Sequence, residues 1–188
     1  MRHRPRSMAP RHGGYASSFL ILQPRRMLLS MKTEFSSPWS RGLKVLTGVV
    51  LLILAYVAVS NGAWAGAIAI TVVVASALFA VRGYRIRGRE LVIKRLGWSK
   101  NLDLADLERV EVLRDAMAQS LRIFGIGGLF SYVGLFRNSR LGWYRAYATD
   151  PSRAVVLSFR DRRVVVTPDD PEQFARAVLA SRDAVVRA

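Results

Sequence analysis

Two long apolar runs, in which Lys44 near the start of the first is the only charged side chain, constrain this chain more than any other feature. They cover residues 43–60 and 63–81, and each is close to the roughly 20 apolar residues that span a hydrocarbon core as a helix. Only Asn61 and Gly62 separate them, a dipeptide that serves to reverse the chain. The sequence therefore predicts a transmembrane helical hairpin over residues 43–81.

The polar content of this hairpin favours an anchor over a transport pathway. Tyr56, Thr71 and Ser76 can return hydrogen bonds to the helices, and small residues such as Gly66 and Ala69 allow close helix packing. Transporters and channels usually carry an ionisable group at membrane depth, whereas the one charged side chain in these runs, Lys44, lies at the entrance of the first. We therefore expect the hairpin to hold the rest of the chain at a membrane.

Basic residues flank both ends of the hairpin, whereas its turn is uncharged. By the positive-inside rule both ends face the cytoplasm, which predicts a multi-pass protein with cytoplasmic N- and C-termini. A rival interpretation makes the first run a signal peptide cleaved after "AWA" at residues 63–65, although a second span follows at once. The flanking basic residues are Arg41, Lys44, Arg82, Arg85, Arg87 and Arg89.

Residues 1–30 show no sustained hydrophobic period and contain six arginines without an acid. We expect a disordered basic tail or an over-extended start, because Met31 opens a segment that is typical of a start ahead of a membrane span. A basic arm lying on anionic lipid is the alternative. Residues 31–42 are expected to be a cytoplasmic lead-in to the hairpin.

Residues 82–188 change to short alternating strands, and about seven are expected. In "YRIRGRELVIKRL" a turn falls at Gly88, with Arg85, Arg87 and Lys94 on the face opposite to the apolar side chains. The tripeptide at 160–162 separates two further strands as a hairpin turn. The apolar face of the first strand pair is formed by Tyr84, Ile86, Leu91 and Ile93.

A C-terminal helix is expected after residue 170. Asp170 suits the N-cap, Pro171 suits the first helical position, and Gln173 falls at the third. Phe174 and Val178 begin an apolar stripe that Val185 or Val186 would extend. The side chains expected to face solvent are Arg176, Arg182 and Asp183.

The stretch "RIFGIGGLFSYVGLF", residues 122–136, is neither a nucleotide-binding loop nor a third span. A third glycine of the dinucleotide fingerprint would fall on Phe130, no Gly-Lys-Ser/Thr follows, and the run is too short and too rich in glycine for a spanning helix. We expect a bend, bulge or close approach of strands, with Phe124, Phe130 and Phe136 in the core. The alternative is an exposed apolar loop that touches the membrane or a sister subunit. The structural glycines are Gly125, Gly127, Gly128 and Gly134.

The order of these segments resembles the bacterial pleckstrin-homology-like domain that follows a two-helix membrane anchor in many small bacterial proteins. The resemblance covers residues 84–180 and rests on the first strand pair, "FGIGG", the "YAT" strand and "TPDDPEQF" before the helix. It implies a mainly-β, PH-like fold of two antiparallel sheets with a C-terminal helix over residues 82–188. It implies no catalytic activity.

The favoured function is a non-catalytic binding or scaffold module, anchored at the cytoplasmic face of the bacterial cell membrane. Its expected partners are the bilayer, anionic lipid headgroups, other membrane proteins or further copies in an oligomer. Basic residues of the first strands are the candidate headgroup contacts, as in eukaryotic relatives of the fold. They are Arg85, Arg87, Arg89, Lys94, Arg95 and Lys100.

An enzyme and a nucleic-acid binder are the alternatives. The chain has no cysteine, and its histidines are His3 and His12, so chemistry in residues 13–188 would depend on carboxylates. The net charge of +16 is compatible with nucleic-acid binding, but the basic residues are scattered, so this function is disfavoured. No cofactor or metal is expected. The candidate carboxylates are Asp103, Asp106, Glu108 and Glu111, whereas Asp169, Asp170 and Glu172 suit a helix start.

Overall fold

The computed structural model describes residues 32–186, including their side chains except those of residues 126–128 and 185–186. The described part contains ten β-strands, three α-helices and one turn of 3-10 helix at Pro151–Arg153. The tail expected over residues 1–30 lies outside the described residues.

Two apolar helices form a hairpin, α1 over Arg41–Ser60 and α2 over Gly62–Leu78. The first begins two residues before the predicted run because the Ser40 hydroxyl accepts a hydrogen bond from the Leu43 N–H at 3.1 Å. The second ends three residues before the predicted residue 81, since the chain turns at Phe79 and Ala80 and a strand begins at Val81. Between the helices, Gly62 adopts a positive φ of 80°.

The first sheet, sheet A, has four antiparallel strands in the order β1-β2-β3-β4. Its second and third strands meet at Gly88, and the alternation predicted there is confirmed because all four apolar side chains of the predicted face are buried. The strands are β1 Glu34–Ser36, β2 Val81–Arg87, β3 Glu90–Arg95 and β4 Ser99–Asp103.

The lead-in before the hairpin contributes a strand to this sheet. In the ladder between β1 and β2, Glu34 pairs with Arg85 and Phe35 pairs with Tyr84. The α1–α2 hairpin is thus inserted between two adjacent strands of one sheet. Phe35 is 2% exposed and meets the Phe174 ring edge-on at 5.1 Å, so residues on both sides of the hairpin build the same core.

The second sheet, sheet B, has six strands in the order β5-β9-β10-β8-β7-β6. Its strands are antiparallel except for β8 and β10, which run parallel because the β9–β10 hairpin places β10 between β9 and β8. The expected count of about seven antiparallel strands is therefore too low and misses one parallel pair. The strands are β5 Leu107–Val112, β6 Leu121–Leu129, β7 Ser131–Asn138, β8 Gly142–Ala148, β9 Val155–Phe159 and β10 Arg163–Val166.

One core joins the inner faces of both sheets to the C-terminal helix α3, Pro171–Val186. The predicted cap is confirmed, since the Asp170 carboxylate accepts a hydrogen bond from the Gln173 N–H at 2.9 Å. Phe174 and Val178 are fully buried, as the predicted stripe requires. The side chains of residues 185 and 186 lie outside the described part.

A second apolar cluster covers the opposite face of sheet B. Phe136 and Tyr144 stack there with ring centroids 5.8 Å apart, under Leu113, Ala116 and Met117 of the β5–β6 connection. Successive strand residues alternate between the two clusters, so Ala146 faces this one and Tyr147 faces the main core.

Buried hydroxyl groups connect the foot of the hairpin to both sheets. The Tyr84 hydroxyl donates to the Tyr147 carbonyl at 2.6 Å and accepts from the Thr167 N–H at 3.0 Å. Ser37 shares hydrogen bonds with the hydroxyls of Tyr84 and Thr149, at 3.2 and 2.7 Å. Burial raises the pKa of Tyr84, which keeps the phenol protonated in this network.

Candidate anion-binding site

Half of the predicted headgroup cations are paired with carboxylates in the structure. Glu34 of β1 accepts hydrogen bonds from Arg85 of β2 and Lys94 of β3, the latter at 3.4 Å. The hydrogen bond from Arg85 is the main cause that lowers the pKa of Glu34. These two cations therefore already have a counterion within the sheet.

Arg89 is the third paired cation. Its guanidinium donates two hydrogen bonds to Asp103, at 2.9 and 3.1 Å, and these bonds are the main reason that the pKa of Asp103 is lowered. Asp103 also accepts from the Ala105 N–H, so this candidate catalytic carboxylate has a structural role at the end of β4. Within the described residues, no group of three or more His, Asp or Glu side chains is placed to hold a metal ion.

Arg95 occupies a different environment, at the foot of α2. Its guanidinium lies 5.0 Å from the ring centre of Tyr147 and 5.7 Å from that of Trp98, which itself meets Phe79 edge-on at 4.6 Å. Burial lowers the pKa of Arg95, and its Nε has no hydrogen-bond partner among the described residues. Cation–π contact thus replaces an acidic partner here.

Lys100, the next predicted cation, lines a small pocket of 80 Å³ where the edge of sheet A faces sheet B. Lys100 pairs with Ile93 of β3, whose side chain points into the core, so the register directs Lys100 toward the same side. Arg145 of β8 pairs with the buried Val164 of β10 and faces inward from the other sheet. Two cations therefore point toward each other's sheet where the core opens to solvent.

A third cation, Arg162 of the β9–β10 turn, completes the pocket lining. Arg162 lies over the Phe159 ring at 5.1 Å and 3.4 Å from the exposed Asp161 carboxylate. Neither Lys100 nor Arg145 forms an ion pair with any residue in the part that the structure describes. Since none of the described lining residues is acidic, the pocket concentrates positive charge.

Sequence reasoning missed Arg145 and Arg162. Arg145 lies in a strand whose two faces are both apolar, so alternation alone does not show which face is inward. The available signal was a segment without acids, because residues 116–149 contain four arginines and neither Asp nor Glu. Arg87, the remaining predicted contact, is exposed on β2 and away from the pocket lining.

A larger cleft of 380 Å³ lies between the end of β5, the 3-10 turn and the start of α3. Its charges are balanced, since Arg114 and Arg153 are accompanied by Asp115 and Glu172. Arg153 is also engaged, with the Asp169 carbonyl at 2.6 Å. We therefore favour the smaller pocket as the anion site.

The glycine-rich segment has a structural use at two of its four glycines. Gly125 of β6 and Gly134 of β7 face each other at positive φ, 117° and 150°. A Cβ at Gly134 would lie 2.1 Å from the Phe124 carbonyl oxygen, so the two backbones approach too closely for a side chain. Gly127 and Gly128 lie in β6, and their surroundings are outside the described side chains.

The expectation that three phenylalanines of this segment are core residues is wrong for Phe124. Phe136 is buried and Phe130 is half-buried, whereas Phe124 is 79% exposed. The reason is that β6 is an edge strand whose ladder shifts register between Arg122 and Phe124.

A protein-family model described as a bacterial PH domain matches residues 82–181. The matched region begins in β2 and ends within α3, so β1 and the α1–α2 hairpin precede it. The curated proteins and the solved structures contain no match to the chain.

Proposed function

This chain belongs to the bacterial PH domain family, and from that premise we propose that it is a membrane-anchored, non-catalytic module that binds anionic lipid headgroups. The α1–α2 hairpin crosses the bilayer, and the pocket lined by Lys100, Arg145 and Arg162 receives a phosphate group. The opposed inward cations of the pocket are the observation that carries the binding proposal.

Exposure of the hairpin supports its insertion into a bilayer. The helix Arg41–Ser60 is long and apolar enough to cross a membrane, and only 11% of its apolar window is buried within the protein. A core helix of a soluble protein would be mostly buried, whereas Leu52, Tyr56 and Val59 of α1 are strongly exposed. At 17 residues α2 is shorter, with a length of about 26 Å, at the lower end of the range for a span.

The ladder between β1 and β2 supports a single side for both ends of the hairpin. Backbone hydrogen bonds join residues 34–36, before α1, to residues 83–85, after α2. Strands paired in this way lie in one aqueous compartment, so an inserted hairpin must enter and leave through the same leaflet. Cleavage after residue 65 would separate β1 from its partner, which argues against the signal-peptide alternative.

Tryptophans at both feet of the hairpin suit the membrane interface. Trp39 precedes α1 and Trp98 packs on Phe79 just after α2, and both are partly exposed. Amphipathic rings of this kind are enriched at the level of lipid headgroups. Arg95 contacts Trp98 at this interface level, and it also contacts Tyr147, which lines the pocket.

The experiment is a titration of the detergent-solubilised full chain with short-chain phosphatidylglycerol, followed by tryptophan fluorescence. We expect the double variant Lys100→Gln/Arg145→Gln to bind at least about a hundredfold more weakly, since two charge-assisted hydrogen bonds contribute roughly 1.5–3 kcal/mol each. The matched control is Arg87→Gln/Arg176→Gln, which removes the same charge from exposed sites outside the pocket.

Equal binding by both double variants would show that the lipid responds to total charge and would contradict the pocket. Short-chain phosphatidylcholine, which has no net charge, should bind the wild-type chain much more weakly. A preference for duplex DNA over phosphatidylglycerol would support the nucleic-acid alternative instead.

A further inference from the structure

Strand β6 presents three large apolar side chains to solvent. Leu121, Ile123 and Phe124 are 72%, 50% and 79% exposed, within a span of four residues. We refer to these three residues as the apolar edge. Strand β6 is also the last strand of sheet B, whose order ends with β7 and β6. Such an edge on a soluble domain is a site for association.

The sequence segment that contains the apolar edge carries charge of one sign. Residues 116–149, which include β6, β7 and β8, contain four arginines and no acid. Phe124 pairs with Leu135 of β7, which pairs with Arg145 of β8, so the edge shares one face of the sheet with the cationic pocket. The four arginines are Arg122, Arg137, Arg140 and Arg145.

The same strand ends beside the foot of the hairpin. At the β6–β7 turn, the Phe130 N–H donates to the Thr47 hydroxyl at 3.2 Å, and the Phe130 ring lies 5.8 Å from that of Trp39. Thr47 is six residues into α1, which corresponds to about 9 Å along the helix. The C-terminal end of β6 therefore lies beside the first turns of the membrane anchor, and Phe124 lies six residues before Phe130, about 20 Å along the strand.

We propose that the apolar edge lies in the headgroup layer of the leaflet that the hairpin enters, as a second lipid contact of the protein. This inference rests on the proposed insertion of the hairpin. Apolar side chains enter the boundary between headgroups and acyl chains, and Arg137 and Arg140, near the end of the neighbouring strand β7, contact lipid phosphates. A second copy is a poorer occupant, since it would bring another acid-free arginine-rich segment against this one.

The absence of cysteine from the chain allows a direct depth measurement. Single-cysteine variants of the full chain carry an environment-sensitive fluorophore in vesicles of phosphatidylethanolamine and phosphatidylglycerol. Spin-labelled lipids then quench the probe, with the label either near the headgroup or near the methyl end of the acyl chain. The variants are Phe124→Cys, Ile123→Cys, Ile53→Cys in the middle of α1 and Glu108→Cys on the distant edge strand β5.

We expect probes at Phe124 and Ile123 to shift to the blue and to be quenched more by the headgroup-proximal label than by the deep one. The probe at Ile53 should show the reverse order, and the probe at Glu108 should show neither effect. Two adjacent positions protect the test against a folding defect in one variant. Circular dichroism confirms the fold of each labelled protein.

The outcomes separate the apolar edge from the anchor. If only the Ile53 probe is quenched, the hairpin is inserted and the proposed lipid contact of the edge is wrong. If no probe is quenched, both proposals are wrong. A blue shift at Phe124 without quenching by either lipid assigns the edge to a second copy, and a blue shift that requires added single-stranded DNA assigns it to nucleic acid. Either result overturns the proposal.

Discussion

The edge strands β1 and β6 differ in the exposure of their phenylalanines and in the charged residues near them. In β1, Phe35 is 2% exposed and Glu34 pairs with Arg85 and Lys94. In β6, Phe124 is 79% exposed, and residues 116–149 contain neither Asp nor Glu. Side chains on the β1 side are thus covered and charge-paired within the protein, whereas large apolar side chains are exposed on the β6 side.

Counting cations therefore does not locate the candidate binding site. The first strand pair is rich in basic residues, and three of the six predicted contacts, Arg85, Arg89 and Lys94, have carboxylate partners. In the pocket, Lys100 and Arg145 lie on the inner side of their sheets with no acid among the described lining residues, whereas Arg162 lies 3.4 Å from Asp161. The location of the counterions distinguishes the two regions.

The largest expected effect is a difference in stability between alanine variants of the two edge-strand phenylalanines. Phe35→Ala should lower the free energy of unfolding by about 3–5 kcal/mol, because it leaves a cavity beside Phe174. Phe124→Ala should change it by less than about 0.5 kcal/mol, since the ring is exposed. Urea unfolding of the full chain in mild detergent measures both. Similar losses for the two variants would contradict the contrast.

A smaller loss of stability is expected when alanine replaces a glycine with positive φ, either Gly88 in sheet A or Gly134 in sheet B. Gly134→Ala should cost about 3 kcal/mol or more, because a clash with the Phe124 carbonyl adds to backbone strain. Gly88→Ala should cost about 1 kcal/mol, since strain acts there without any contact within 4 Å. The same urea titration compares them, and an equal cost would exclude the close approach as the reason for glycine at position 134.

The smallest expected effect is on the loss of stability at acidic pH. The pKa values of Glu34 and Asp103 are lowered in the folded chain, mainly by Arg85 and Arg89, so the native state binds fewer protons than the unfolded chain. Their stabilisation is complete above the ordinary values of 4.5 and 3.8 and is lost as the pH falls through the lower folded values. Thermal midpoints should fall less steeply between about pH 6 and about pH 3 in Glu34→Gln/Asp103→Asn than in the wild type. An identical slope would mean that these pairs contribute nothing.

Local patterns predicted much of this architecture. The cap at Asp170, the turn at Gly88 and the turn at residues 160–162 each depend on residues close together in the chain. The alternation in the first strand pair also depends on neighbours, and the two apolar helices follow from long runs of apolar residues. These features are encoded within short windows.

The features that sequence reasoning missed depend on distant pairing. Strand β1 has three residues, and its partner β2 lies beyond both helices of the hairpin, so no local window indicates it. The exposure of Phe124 depends on a register shift and on its place at the sheet edge. The pocket depends on the inward direction of Arg145, which is set by pairing with Val164.

The central claim is that both ends of an inserted hairpin lie on one side of the membrane, where β1 and β2 pair. Single cysteines at Lys32, Asn61 and Arg87 test it most directly, by labelling with a membrane-impermeant maleimide in intact cells and in inverted membrane vesicles. We predict that positions 32 and 87 react only in inverted vesicles and that position 61 reacts only in intact cells. Reaction of positions 32 and 87 from opposite sides, or of all three from the same side, would contradict the account.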